Sequence, residues 1–307
     1  MPPAERIPYD EFAYFHENAE EFGLPYDGPP EVRRVGVDLD DGRTLSALMW
    51  GEGEPELVLL HGGAQNAHTW DTVAMALDRP LVAIDLPGHG HSDGGRGGAL
   101  DPASNAVDVA TAVGALAPLA RAVVGMSLGG VTSIAMTAHA PDLVRSLVLV
   151  DITPGVDAGK AAAIISFVSG PESFDSFDEL LERTIAFNPT RTEASLRRGI
   201  LHNAVQRDDG TWVWRYARHR PSAPAGDGVA GVGAPDFGSL WDVVSSYGGP
   251  VMLVRGMLPQ SVVDDADEAE LVRRRPDARI EHVDGAGHSV QGDKPVELAG
   301  LIADFVA

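Results

Sequence analysis

The sequence contains no cysteine in its 307 residues. This absence excludes disulfide bonds, thiolate metal sites and a cysteine nucleophile. Basic residues are also scarce, because 23 Lys and Arg stand against 45 Asp and Glu, giving a formal net charge of −22. A chain this acidic, with no basic cluster, is not expected to bind nucleic acid or an anionic membrane.

Long apolar runs are missing as well. There is no stretch of about 18 uninterrupted apolar residues, and the opening MPPAERIPYDEF has neither a basic nor an apolar signal region. We therefore expect a cytoplasmic protein that is not exported and does not span a membrane. The hydrophobic content of 44% is enough for one large buried core with an insertion.

The order of apolar and Ala-rich segments predicts an α/β fold with a mostly parallel, eight-stranded sheet and helices on both faces. Strands are expected at Val32–Leu39, Leu45–Trp50, Leu57–Leu60, Leu81–Asp85, Ala122–Gly125, Leu147–Asp151, Val251–Arg255 and Ile280–Val283. Helices are expected between them at Trp70–Leu77, Ala103–Leu116, Leu128–Ala138, Asp267–Arg274 and Pro295–Phe305. The continuous runs LVLL, AVVG and LVLV indicate strands that are buried on both faces.

The alternation of strands and helices stops after residue 151, and residues 152–239 are interpreted as an inserted helical cap. Helices are expected there at Ala161–Val168, Phe177–Ala186 and Glu193–Ala204. Residues 221–238 are rich in Gly, Pro and Ala and predict a flexible loop that returns to the core. The core then comprises residues 31–151 and 240–307, and residues 1–30 form an N-terminal extension with a helix packed on its outside.

A candidate nucleophile, Ser127, lies in the pentapeptide Gly125-Met126-Ser127-Leu128-Gly129. A buried strand precedes this G-x-S-x-G motif and an apolar helix follows it. Small residues on both sides of the serine allow the sharp strand-to-helix turn that projects a serine hydroxyl. This context makes the motif much more specific than the pentapeptide alone.

A second glycine-rich loop, His61-Gly62-Gly63-Ala64, follows the predicted strand Leu57–Leu60. The backbone N–H groups of Gly63 and Leu128 are the candidate donors to the oxyanion that develops during acyl transfer. His61 itself is interpreted as a structural residue of the loop.

The candidate general base is His288, in the segment Asp284-Gly285-Ala286-Gly287-His288 after a late strand. An imidazole can take a proton from serine and return it near neutral pH. The sequence has ten histidines. His288 is favoured because it follows the carboxyl end of a strand, where open α/β sheets gather their functional groups.

These motifs resemble the α/β-hydrolase superfamily, in the branch of capped esterases, lactonases, C–C bond hydrolases and haloperoxidase-like enzymes. The resemblance rests on HGG at 61–63, DLPGHGHSD at 85–93, GMSLGG at 125–130 and GAGHS at 285–289, and it covers residues 31–151 and 240–307. It implies an α/β-hydrolase fold and serine chemistry. Neither a metal motif nor a dinucleotide-binding motif occurs, so no metal and no cofactor are expected.

The chain departs from the family pattern at the triad acid. Members commonly carry an Asp shortly after the strand that here ends in VMLVRG, but this chain has Gln260 or Ser261 at that position. The other known position for the acid corresponds to Asp151, which is our choice. Asp264 and Asp265 remain alternatives, although they lie where a helix should begin and where such residues usually cap it.

The expected function is hydrolysis of a small-molecule carboxylic ester or lactone through an acyl-enzyme on Ser127. C–C hydrolysis of a vinylogous diketone, acyl transfer to an acceptor other than water, and non-catalytic binding or signalling remain open, and the oligomeric state is not predicted. Selectivity would depend on aromatic and polar residues of the cap, whose simpler role is to form the cap's own core. These are Phe167, Phe187, His202, Trp212, Trp214 and Tyr216.

Overall fold

The computed structural model describes residues 6–98, 101–216 and 237–307. The strands within these ranges are β1 (Val32–Asp38), β2 (Thr44–Trp50), β3 (Leu57–Leu60), β4 (Leu81–Ile84), β5 (Ala122–Met126), β6 (Leu147–Val150), β7 (Ser173–Phe174), β8 (Ala204–Gln206), β9 (Trp212–Trp214), β10 (Val251–Gly256) and β11 (Arg279–Val283). The helices are α1 (Phe15–Phe22), α2 (Asp71–Leu77), α3 (Pro102–Leu116), α4 (Leu128–His139), α5 (Ala162–Val168), α6 (Phe177–Phe187), α7 (Glu193–Asn203), α8 (Leu240–Ser246), α9 (Asp265–Arg274), α10 (Val290–Asp293) and α11 (Pro295–Phe305).

Eight of the strands form one sheet in the order β1-β2-β4-β3-β5-β6-β10-β11. Strand β2 is antiparallel to both of its neighbours, and all pairs from β4 to β11 are parallel. The predicted eight-stranded, mostly parallel fold is therefore confirmed. The parallel strands end at one edge of the sheet, so the loops after β3, β5, β6, β10 and β11 meet there.

The central strands are apolar at every position because both faces of the sheet are covered. Alternate residues of β3 belong to different clusters, since Val58 and Leu60 pack on one face and Leu57 and Leu59 on the other. The first face contacts buried residues of α3, α4 and α8, and the second contacts those of α1, α2 and α11. This two-sided burial explains the continuous runs that predicted the strands.

The described part of the inserted segment, residues 152–216 and 237–239, contains the helices α5 to α7, close to their predicted bounds. It also contains a small antiparallel sheet in the order β7-β9-β8, which the sequence analysis did not predict. Its strands have only two or three residues each, too short to give a periodic pattern. Trp212 packs edge-to-face on Phe177 at a centroid distance of 5.1 Å, so the segment has a small core of its own.

The N-terminal residues contact both the core and the inserted segment. Phe15 of α1 is buried against Trp50 of β2, with ring centroids 5.2 Å apart. Tyr9 and Tyr14 lie instead against the ring of His202 on α7. The N-terminal segment therefore contacts both α7 and the sheet. The sequence analysis predicted only a helix packed on the outside of the core and did not predict the contact with α7.

Residues 221–236 of the predicted return loop lie outside the described residues. Among the helices of the described ranges, none is both long enough and apolar enough to cross a membrane.

The contact of Gly129 with β3 predicts that this position does not accept a side chain. A Cβ atom at residue 129 would lie 2.2 Å from the Leu60 carbonyl oxygen, so Gly129→Ala should lower the free energy of unfolding by at least about 2 kcal/mol. Gly114 of α3 is the matched control, because its Cβ would meet only Leu143 Cδ1 at 3.8 Å. Gly114→Ala should raise that free energy by about 0.5–1 kcal/mol. Urea denaturation measures both, and equal stability of the two variants would contradict this packing.

Candidate active site

Ser127 occupies a strained turn between β5 and α4. Its backbone has φ 50° and ψ −116°, a conformation that residues other than glycine rarely adopt. The turn also requires glycine on both sides, since a Cβ at Gly125 would lie 2.4 Å from the Gly129 carbonyl oxygen. The structure thus forms the sharp strand-to-helix turn expected for a serine at the end of a central strand.

The loop after β3 lies directly against this turn. A Cβ at Gly62 would lie 2.4 Å from Met126 Sδ and 3.3 Å from Ser127 Cβ. The Gly62 N–H donates to Gln65 Oε1 at 3.1 Å. By contrast, the N–H groups of Gly63 and Leu128 donate to no residue within the described ranges, and both residues line the same cavity as Ser127. They are therefore free to donate to a bound oxygen.

Two buried histidines, both uncharged, form hydrogen bonds that hold the loops beside the serine. His61 Nδ1 donates to the Gly62 carbonyl at 2.7 Å, and its Nε2 accepts from the Leu86 N–H at 2.9 Å. His89 Nε2 accepts from the Ala64 N–H at 3.1 Å. Burial lowers the pKa of His61 to about 3 and also lowers the pKa of His89. Both rings are fully engaged in the loops, in line with the structural interpretation of His61.

The carboxylate of Asp151 is completely buried and accepts four hydrogen bonds. Its Oδ1 accepts from the Gly256 N–H at 3.0 Å and from Ser261 Oγ at 2.6 Å. Its Oδ2 accepts from the Val262 N–H at 3.0 Å and from His288 Nδ1 at 2.9 Å. This arrangement fixes the orientation of the imidazole and leaves its Nε2 without a carboxylate.

Asp264 and Asp265 do not approach His288. Asp264 caps the first turn of α9, accepting from the Asp267 N–H at 2.9 Å, and pairs with Lys160 at 2.9 Å. The Asp265 side chain is 97% exposed and pairs with Arg255. Of the three carboxylates considered, Asp151 alone contacts His288 in the described structure. Sequence alone could not decide this, since it does not show which carboxylate is buried.

Ser127 and His288 line one cavity of about 1180 Å³. No hydrogen bond joins Ser127 Oγ to the imidazole within the described part of the chain. Such bonds are often long in an enzyme without substrate and shorten when substrate binds. The two side chains thus line the same cavity.

The inserted segment supplies much of the apolar wall of this cavity. Of its six aromatic and polar residues singled out from the sequence, five line the cavity, namely Phe167, Phe187, His202, Trp214 and Tyr216. Trp212 is instead buried in the segment's own small core. The sequence could not separate these two environments, because both favour large aromatic side chains.

A buried ionic network missed by the sequence analysis adjoins the cavity. His68 Nδ1 donates to Asp71 Oδ2 at 2.9 Å, and its Nε2 lies 3.2 Å from Glu11 Oε2. Burial alone would lower the pKa of His68, but the two carboxylates outweigh it and raise this pKa to about 9. His202 stacks on His68 with ring centroids 3.9 Å apart, and burial together with the neighbouring charge keeps the pKa of His202 well below its usual value.

Within the described residues, His68, Asp71 and His202 form a group whose metal-ligating atoms lie within 4.8 Å of one another. An imidazole nitrogen binds a metal along its in-plane lone pair. The two rings are nearly parallel, at 13°, so an ion between them would lie outside both ring planes. The cluster therefore fits a charged hydrogen-bond network and does not fit a metal centre.

Comparison with known proteins agrees with the fold. The sequence profile of the Alpha/beta hydrolase family matches residues 57–301. Esterase Rv0045c of Mycobacterium tuberculosis is 44% identical over 301 residues, 95% of this chain and 94% of that protein. Its crystal structure has a TM-score of 0.83 and covers 98% of this chain and 99% of the other.

A second relative is the 2-(acetamidomethylene)succinate hydrolase of Mesorhizobium japonicum, 30% identical over 275 residues, 87% of this chain and 94% of that protein. The sn-1-specific diacylglycerol lipase of Xenopus laevis is 28% identical over 286 residues, 89% of this chain and 83% of that protein. The chain belongs to the alpha/beta hydrolase family. It is therefore a hydrolase, which confirms the predicted family and class of enzyme.

The raised pKa of His68 predicts a characteristic fall in stability above neutral pH. The folded protein holds a proton on His68 up to about pH 9, whereas the unfolded chain releases it near 6.5. The network's contribution is thus complete below pH 6.5 and is lost as the pH rises to 9, with a slope of up to about 1.4 kcal/mol per pH unit. Urea unfolding across this range should show the decline in the wild type and a smaller decline in His68→Gln. An unchanged decline in the variant would contradict the assignment.

Proposed function

We propose that the protein hydrolyses a small-molecule carboxylic ester or lactone through an acyl-enzyme on Ser127. One observation carries this proposal: the Asp151 carboxylate, which accepts four hydrogen bonds, accepts one of them from His288. His288 in turn lines the cavity that also contains Ser127. A buried carboxylate on the far nitrogen is what a histidine needs in order to act as a base toward serine.

In the first half-reaction, His288 Nε2 accepts the Ser127 hydroxyl proton as Oγ attacks the ester carbonyl carbon. Asp151 keeps the proton on Nδ1 and stabilises the imidazolium that forms. The Gly63 and Leu128 N–H groups donate to the oxyanion, and the helix that begins at Leu128 adds its positive dipole end. The tetrahedral intermediate then collapses, and His288 gives its proton to the departing alkoxide.

In the second half-reaction, water attacks the acyl group on Ser127 while His288 accepts a proton from the water. The intermediate collapses, the proton returns to Ser127 Oγ, and the carboxylic acid leaves. We propose that residues 152–239 act as a cap over this chemistry, because α5 to α7 line the cavity while the reacting groups all belong to the core. The 44% identity to a mycobacterial esterase supports an ester as the substrate.

Removing the nucleophile tests the first step. Ser127→Ala should reduce turnover of p-nitrophenyl esters on the order of 10³-fold or more, because only positioning and oxyanion binding remain. A fluorophosphonate probe should label the wild type at Ser127 and should not label the variant. Labelling that persists in the variant would mean that another residue is the nucleophile.

Removing the charge of each carboxylate tests the acid. Asp151→Asn should reduce kcat by about 10⁴-fold, because an amide no longer holds the required tautomer of His288. Asp264→Asn and Asp265→Asn are matched controls with the same chemical change on nearby residues that lie away from the imidazole. Both should keep activity near that of the wild type. The assignment is wrong if Asp151→Asn stays active while one control loses activity.

A further inference from the structure

Arg191 places a guanidinium beside the loop of the proposed base. It lies between α6 and α7 and lines the cavity that contains Ser127 and His288. A Cβ atom at Gly292 would lie 2.8 Å from Arg191 Nη1 and 2.9 Å from its Cζ. Gly292 belongs to α10, the short helix that follows His288 directly after Ser289. The cation therefore contacts the helix next to the base and shares the cavity with it.

The guanidinium of Arg191 has few partners of its own. Its Nη2 donates to Ser195 Oγ at 2.6 Å, and its Nε is inaccessible to solvent without an acceptor in the described part of the chain. No described carboxylate lies within 4.0 Å of it. Arg198, which lines the same cavity, differs because it pairs with both Glu17 and Glu21. Arg191 is thus the cavity-lining arginine whose charge is not matched by a described carboxylate.

This unmatched charge is costly unless another group compensates for it. Burial lowers the pKa of Arg191, and Asp293 and Glu21 oppose this only from beyond ion-pair distance. Asp293 Oδ2 is already engaged by the Gly287 N–H at 2.9 Å. A partly buried cation with unused donors is stabilised by an anion that brings its own hydrogen-bond acceptors.

We propose that Arg191 binds a carboxylate of the substrate, so that the protein acts on esters that carry a free carboxylate away from the scissile bond. The planar fork of a guanidinium binds a carboxylate with two parallel hydrogen bonds, and Nη1 together with the second N–H of Nη2 forms the end-on pair that can provide them. The apolar side chains of Ile164, Phe167 and Phe187 line the same cavity and provide contacts for the carbon chain between the carboxylate and the ester. The proposal rests on the ester hydrolysis proposed above and names its substrate class.

Paired substrates that differ only in charge test this proposal. The p-nitrophenyl monoesters of adipate, pimelate and suberate carry the carboxylate on the acyl side, and the corresponding carboxamides are neutral controls. The esters 6-butyryloxyhexanoate and 6-butyryloxyhexanamide place the same difference on the alcohol side. The wild type should favour the acid over the amide by about 10- to 100-fold in kcat/KM in one of the two series, mainly through KM.

Arg191→Met should reduce that preference to about one, and Arg191→Lys should leave an intermediate preference because it keeps the charge without the fork. Arg197→Met is the matched control, since Arg197 is exposed on α7 and does not line the cavity. It should keep the wild-type preference. A wild type that does not discriminate in either series, or an Arg191→Met enzyme that still does, would overturn the proposal while leaving ester hydrolysis intact.

A binding measurement separates this proposal from the proposed chemistry. Calorimetry should detect suberate or adipate binding to Ser127→Ala protein, which cannot turn over substrate, and at least 10-fold weaker binding when Arg191→Met is added. Equal binding by the two proteins, or no binding by either, would contradict the role of Arg191. Failure of the fluorophosphonate to label Ser127 would instead contradict the proposed hydrolysis and leave the binding result unaffected.

Discussion

The buried carboxylate of Asp151 is the constraint on which the site depends. A fully buried anion is destabilising unless donors surround it, and here all four come from the last residue of β10 and from the loops that follow β10 and β11. The Gly256 and Val262 N–H groups fix the loop after β10, and His288 fixes the loop after β11. If any one donor were lost, a carboxylate oxygen would lack that hydrogen bond, and water could not replace it because Asp151 is completely buried. The loops and the carboxylate therefore stabilise one another.

The backbone at the same edge of the sheet is strained in two adjacent strands. Ser127 and Asp151 follow β5 and β6 directly, and their φ values of 50° and 48° both lie in the left-handed region. Each such residue costs on the order of 1–3 kcal/mol and persists only where the surroundings fix it. Glycine contacts fix Ser127, and four hydrogen bonds fix Asp151. Pairing of β5 with β6 from Val123 to Met126 then sets the two residues side by side.

Most of the fold was predictable because the central strands are buried on both faces. Runs such as Leu57–Leu60 and Leu147–Val150 are apolar at every position, which few other environments require. Ser127 and His288 could be singled out because each lies in a glycine-rich loop just after a strand. The sequence left the acid open between Asp151, Asp264 and Asp265, since the donors that distinguish it come from residues more than 100 positions away.

Other features have no local signal in the sequence. The network around His68 joins Glu11 to Asp71 across 60 positions, and only the packing of the N-terminal segment brings them together.

The departure from the family pattern at Ser261 is likewise explained by a contact between residues that are far apart in the sequence. Its hydroxyl donates at 2.6 Å to Asp151, which directly follows β6, so the loop that carries the acid in other family members here supplies a donor to the carboxylate that contacts His288.

The net charge of −22 and the charge of Arg191 act over different distances. Surface carboxylates repel an anionic substrate in solution, but at physiological ionic strength this repulsion is screened beyond about 8 Å. The guanidinium acts inside a largely apolar cavity, where a charged hydrogen bond is screened much less. An acidic surface is therefore compatible with recognition of a carboxylate, because the long-range field affects mainly the rate of approach and the buried contact determines how tightly the bound substrate is held.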